Sequence, residues 1–97
     1  MDRLVDDVWD WFEQHDLHDH RMQYIKMIEE CGELAHELTR GNVDTPEVED
    51  AIGDIFVTVI GMCHHLNFDP KECLEMAYNE IKNRKGKVVD GSFVKSE

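Results

Sequence analysis

One helix-start signal, used twice, constrains this chain most. Thr45-Pro46 and Asp69-Pro70 each put a side-chain acceptor at an N-cap and a proline at the first helical position. Proline has no N–H for the first turn to leave unsatisfied, and its fixed φ suits helix entry. Apolar residues recur at helical spacing after each start, giving helices from Pro46 to about Leu66 and from Pro70 to about Asn83. The same spacing predicts a helix from about Asp2 to His15, carrying Leu4, Val5, Val8, Trp11 and Phe12, and another from about His20 to Arg40. Gly41 then suits a left-handed residue past the helix end. The tail "RKGKVVDGSFVKSE" loses the spacing and reads as an irregular or weakly extended arm with a basic start. The expected class is all-α, an antiparallel four-helix bundle-like single domain over residues 1–97.

Charge narrows the function. The chain has 22 acidic and 10 basic residues and a formal net charge of −12. That argues against duplex nucleic acid and against anionic membrane surfaces, both of which attract basic footprints. A phosphate-bearing substrate would also be repelled unless divalent cations came first. Cys31, Cys63 and Cys73 are odd in number, with no CxxC pair. They read as reduced thiols in or near the core of a cytoplasmic protein. The acidic, amphipathic start does not resemble a signal peptide, and "IFVTVIGMC" is too short to span a bilayer.

The acids are not scattered. At about 100° per residue, Lys26, Glu30, Glu33 and Glu37 share a sector of roughly 60° on the second helix, with Glu29 just outside it. Tyr24, Met27, Ile28, Cys31, Leu34, Ala35 and Leu38 form the adjoining apolar stripe. On the third helix, Asp50 and Asp54 are one turn apart with Glu47 near them, beside a stripe of Val48, Ile52, Ile55, Phe56, Val59 and Cys63. If the stripes pack together, the two acid clusters meet along one edge of the seam. Carboxylates so placed raise each other's pKa unless cations neutralise them, and an all-oxygen donor set suits Mg²⁺ or Mn²⁺ over Zn²⁺. A solvated acidic face explains the same spacing. Gly32 and Gly53, inside helices beside these acids, point to close approach of another group.

These residues resemble the MazG-like all-α nucleotide pyrophosphohydrolases, in the short form of phage and Gram-positive bacteria. That superfamily includes dimeric dUTPases and phosphoribosyl-ATP pyrophosphohydrolase. The family pattern is E-x-x-E on one helix and E-x-x-D on the next. "EECGE" supplies Glu30 and Glu33, with Glu29 preceding, and "EDAIGDIF" supplies Asp54. The position three before Asp54 is Ala51 rather than Glu, and the nearest acid is Asp50. "YNEIKNRKGK" resembles the basic segment with which many members end, so the likeness spans roughly residues 20–90.

The resemblance implies hydrolysis of a nucleoside triphosphate to its monophosphate and pyrophosphate. It implies Mg²⁺ held by Glu30, Glu33, Asp54 and Asp50, with Glu29 helping to deprotonate the attacking water. Lys82, Arg84, Lys85 and Lys87 would neutralise the phosphate chain, reaching it from a neighbouring subunit; a solvated basic end is the alternative. Lys26 would contact phosphate or pair with Glu30. Trp9, off the main stripe, is a candidate for stacking on a base, and Asn79 and Asn83 for hydrogen-bonding base or sugar. The resemblance also implies a homodimer or homotetramer. The histidines His15, His18, His20, His64 and His65 lack a zinc-site spacing and read as solvated or capping, and Met22, Met27, Met62 and Met76 as packing. From another class, a non-catalytic acidic bundle that binds a protein partner fits the departure at Ala51. Phosphoribosyl-ATP pyrophosphohydrolase is a second enzymatic alternative.

Overall fold

The computed structural model describes residues 2–96: four helices and a hairpin. The helices are α1 (Asp2–Gln14), α2 (His20–Thr39), α3 (Pro46–Leu66) and α4 (Pro70–Ile81). The all-α expectation holds. Asn83 lies past the end of α4, not on it.

Both proline-linked caps form. Thr45 Oγ1 accepts from the Val48 N–H at 3.2 Å, and Asp69 Oδ1 from the Lys71 N–H at 2.8 Å. A third cap lies in the polar stretch "HDLHDH": Asp19 Oδ1 accepts from the Arg21 and Met22 N–H groups at 3.0 and 3.1 Å and starts α2. Gly41 takes the left-handed conformation expected of it, with φ +84°.

α3 is the centre on which α1 and α2 pack. Val5 and Phe12 of α1 and Val48, Ala51, Ile60 and Cys63 of α3 are buried, and Met27 and Leu34 of α2 are half-buried. The tightest approach is at Gly61. A Cβ there would collide with Phe12 Cζ and lie 2.7 Å from Gln23 Nε2, so glycine lets three helices meet. The Gln23 amide donates to the Thr58 carbonyl at 3.2 Å, and its oxygen accepts from His65 Nε2 at 3.2 Å. His64 is 5% exposed, donates from Nε2 to Glu13 at 2.9 Å and lies Nδ1 to Nδ1 against His65 at 3.0 Å. These two histidines therefore tie α3 to α1 and α2. The expectation of solvated or capping rings does not hold for them, because buried His64 and half-buried His65 pair with side chains of α1 and α2.

The fourth helix stands apart. The chain turns by 107° between α3 and α4, and no residue of α4 is buried. The radius of gyration is 15.9 Å, against about 13 Å for a compact chain of this length. One chain thus does not close a four-helix bundle around α4. Much of the expected apolar stripe lies uncovered: Tyr24, Ile28, Ile52, Phe56, Leu74 and Tyr78 are each more than two-fifths exposed. Met22 and Met76 are exposed too, so they do not pack within the chain. Of the cysteines, only Cys63 is buried; Cys31 and Cys73 are exposed, not core.

The tail requires a correction. Gly86–Val89 (β1) and Ser92–Lys95 (β2) pair antiparallel, with Val88 opposite Phe93 and Val89 opposite Ser92. Asp90 and Gly91 form the two-residue turn with φ of 50° and 80°, the double positive φ of a type I′ hairpin. No single described helix is long and apolar enough to cross a membrane.

Candidate functional site

The seam between α2 and α3 opens along one edge into a groove of about 610 Å³. Periodicity explains its lining. Glu29, Glu33, His36 and Glu37 are spaced one or two turns apart on α2 and share a face. Glu47, Asp50, Ala51 and Asp54 do the same on α3. Six carboxylates therefore line the groove, and no lysine or arginine does. Glu29, which angular reckoning leaves just outside the acid sector, faces this space directly. Ala51 lines the groove and is 8% exposed, so a longer acid there would enter it; Asp50, one residue away, already does.

Asp54 also borders a second hollow of about 290 Å³, shared with Lys26, Glu30, Gln23 and Thr58 and walled by Trp11 and Phe12. Burial pushes the Asp54 carboxyl above its ordinary range, and the charges of Asp50 and Glu30 push it further, while Lys26 pulls it down. Glu30 is the buried carboxylate, 8% exposed, with Lys26 Nζ 3.6 Å from its Oε1. Lys26 also lies 3.9 Å from Glu29. One lysine head thus stands between two carboxylates and within electrostatic reach of a third.

Glu37, without a role in the sequence pattern, accepts from Asn42 Nδ2 at 2.8 Å and braces the α2–α3 loop. His36 is a groove residue that sequence reasoning missed. Its spacing of three from Glu33 and seven from Glu29 was the available signal. Arg40 donates to its Nε2 at 3.2 Å, so that nitrogen carries a lone pair rather than a proton.

Other candidates fall elsewhere. Trp9 lies edge-on to His64 at 4.9 Å and borders a different hollow, with Asp6, Asn67, Asp69 and Lys71. Its half-buried ring packs against His64 of α3, away from the groove. Asn79, Lys82, Asn83, Arg84, Lys85 and Lys87 are all exposed on α4, the turn after it and the hairpin, and none lines the groove. Nothing in the chain comes within 4 Å of a Cβ built at Gly32 or Gly53, so the close approach expected there is not made by this chain.

Among the described residues, no group of three or more His, Cys, Asp or Glu is set closely enough to hold a metal ion as it stands. The donor set nevertheless fits a hard divalent cation. Apart from the His36 imidazole it is all carboxylate oxygen, comes from two facing helices, and includes a carboxyl whose ionisation is opposed by burial and like charge.

No curated protein and no solved structure matches the chain significantly. The family model of the MazG nucleotide pyrophosphohydrolase domain matches residues 18–89, which take in both groove helices, α4 and β1. The chain belongs to the MazG nucleotide pyrophosphohydrolase domain family.

Proposed function

We propose that this chain is a Mg²⁺-dependent nucleoside triphosphate pyrophosphohydrolase that clears unwanted or modified nucleotides, releasing the monophosphate and pyrophosphate. The observation that carries the reading is the groove itself: six carboxylates from two facing helices with no lysine or arginine in its lining. Such a surface repels a triphosphate by itself and accepts one once cations occupy it.

Glu30, Glu33, Asp50 and Asp54 are the residues proposed to hold Mg²⁺, for which Mn²⁺ can substitute. The ion supplies charge neutralisation and polarisation of phosphate oxygens. Asp50 takes the part of the acid that Ala51 lacks, because both line the groove. Glu29 faces the same space and accepts the proton of the attacking water. Lys26 holds Glu29 and Glu30 in place and offers its charge to the phosphate chain. Asn79, Lys82, Asn83, Arg84, Lys85 and Lys87 lie too exposed and apart to serve their own groove, and we assign them to substrate in a neighbouring copy. The uncovered apolar faces of α2, α3 and α4 support a homodimer or homotetramer in which that reach is possible. Three free thiols favour a reducing compartment, the cytoplasm.

The test is pyrophosphate release from a panel of nucleoside triphosphates and phosphoribosyl-ATP, with Mg²⁺ and with chelator. Mg²⁺-dependent release from nucleoside triphosphates is expected. Turnover of phosphoribosyl-ATP alone would reassign the substrate. Inertness toward all of them in a folded sample would leave the acidic groove as a protein-binding face, the reading favoured by Ala51.

A further inference from the structure

The elbow between α3 and α4 carries chemistry that hydrolysis does not use. Cys63 lies one turn before the end of α3, and Cys73 lies in the first turn of α4. Their sulfurs are 4.0 Å apart, with the Cys63 S–H donating to Cys73 Sγ. Cys63 is buried and Cys73 exposed. Both backbones are pinned by the elbow: the Phe68 N–H donates to the Cys63 carbonyl at 2.8 Å, and the Cys73 N–H to the Asp69 carbonyl at 3.0 Å. A cavity of about 340 Å³, bordered by Val5, Phe56, Pro70, Lys71 and Leu74, opens onto both thiols.

We propose that Cys73 and Cys63 form a thiol modification site that reacts with a small-molecule disulfide and closes into an intramolecular bond across the elbow. The exposed Cys73 thiolate attacks the small disulfide, releasing one small thiol and leaving a mixed disulfide on Cys73. Cys63 then gives up its proton to solvent, and its thiolate attacks Cys73 Sγ, releasing the second small thiol. Two protein thiols are oxidised and one small disulfide is reduced to two thiols. The sulfurs must close by about 2 Å to reach bonding distance, a movement on the scale of side-chain rotation. The order follows from environment. Burial, then the neighbouring Cys73, then Asp69 push the Cys63 thiol up to about 11, so it stays protonated at neutral pH and acts second. The bond would fix α4, which buries no residue of its own, at its present angle to α3.

Incubating the full chain carrying Cys31→Ser with oxidised glutathione tests this independently of any hydrolysis. The expected product has lost two hydrogens, retains no glutathione, resists alkylation and yields a peptide joining Cys63 to Cys73. A stable glutathione adduct on Cys73, or two thiols still open to alkylation, overturns the proposal. With Cys73→Ser added, Cys63 is expected to stay unmodified, and its glutathionylation would overturn the order of attack. In the oxidised chain, amide exchange in α4 is expected to slow at least about tenfold; unchanged exchange would show that the bond does not fix the elbow.

Discussion

Gly61→Ala offers a quantitative test of how α1, α2 and α3 are held together. The new methyl would collide with the ring of Phe12, which is 3% exposed, and lie 2.7 and 2.8 Å from Gln23 Nε2 and Cδ. Ordinary carbon contacts begin near 3.5 Å, so ring and amide must both retreat. Overpacking of this kind costs about 1–3 kcal/mol. Displacing Gln23 breaks its bond to the Thr58 carbonyl, which adds about 1 kcal/mol. Alanine returns about 1 kcal/mol through helix propensity. The net loss is about 2 kcal/mol, or a fall in Tm of roughly 8–16 °C for a domain of this size. Gly53→Ala is the matched control: nothing lies within 4 Å of its Cβ, so only the propensity gain remains. Its Tm is expected to rise by roughly 4–8 °C. Both follow from thermal unfolding by circular dichroism at one protein concentration. A Gly61→Ala chain as stable as its parent would refute the three-helix contact described above.

Asp54→Asn should lower pyrophosphate release at least about a hundredfold in Mg²⁺, since several kcal/mol of charge stabilisation would go with the carboxylate; Asp50→Asn should do likewise, and full activity in it would remove Asp50 from the site. Asp54 also governs a pH slope: its folded carboxyl binds the proton more tightly than the unfolded one, so stability present at acid pH is lost as pH rises past the ordinary carboxylate range. In metal-free buffer Asp54→Asn should flatten that loss as pH rises above about 4, and an unchanged slope in thermal melts would contradict it. His65 has the opposite sign, because burial first, and then His64 and His18, depress its pKa below 6.5. Its contribution is present above that value and lost as pH falls, so His65→Gln should make acid melts less steep. Mixing Glu33→Gln with an Arg84→Ala/Lys85→Ala chain should restore activity absent from either alone; no recovery after confirmed subunit exchange would place the basic residues outside the partner's site.

The helices were legible because proline and its cap mark a start irrespective of tertiary context. The acid groove was legible because charge spacing on a helix translates directly into a shared face. Exposure was harder. Tyr24 and Ile28 fall on the same stripe as Met27 and Leu34, and nothing in the pattern says how much of a stripe one chain covers. Gln23 was missed and His64 taken for a solvated or capping ring because their significance lies in partners on other helices, 35 and 51 positions away. The hairpin was a different failure. Strands of four residues give a weak alternation signal, yet Asp90-Gly91 between Val-Val and Ser-Phe-Val is a local turn signature that needed no tertiary information.

That hairpin also makes the molecule a lopsided electrical object. Residues 1–81 hold 20 acids and 5 bases, a net of −15, whereas residues 82–97 hold 2 acids and 5 bases, a net of +3, which together give the chain's −12. Two copies approaching in solution therefore feel an orienting torque that turns the basic end of one toward the acidic flank of the other. At physiological salt this field decays over about 8 Å, so it acts on the final approach and fades as ionic strength rises. Because each copy carries −12 overall, net repulsion opposes their approach most in dilute buffer, so two copies should associate faster as salt rises. That dependence runs in the same direction as that of the uncovered apolar faces, whose attraction salting-out ions strengthen.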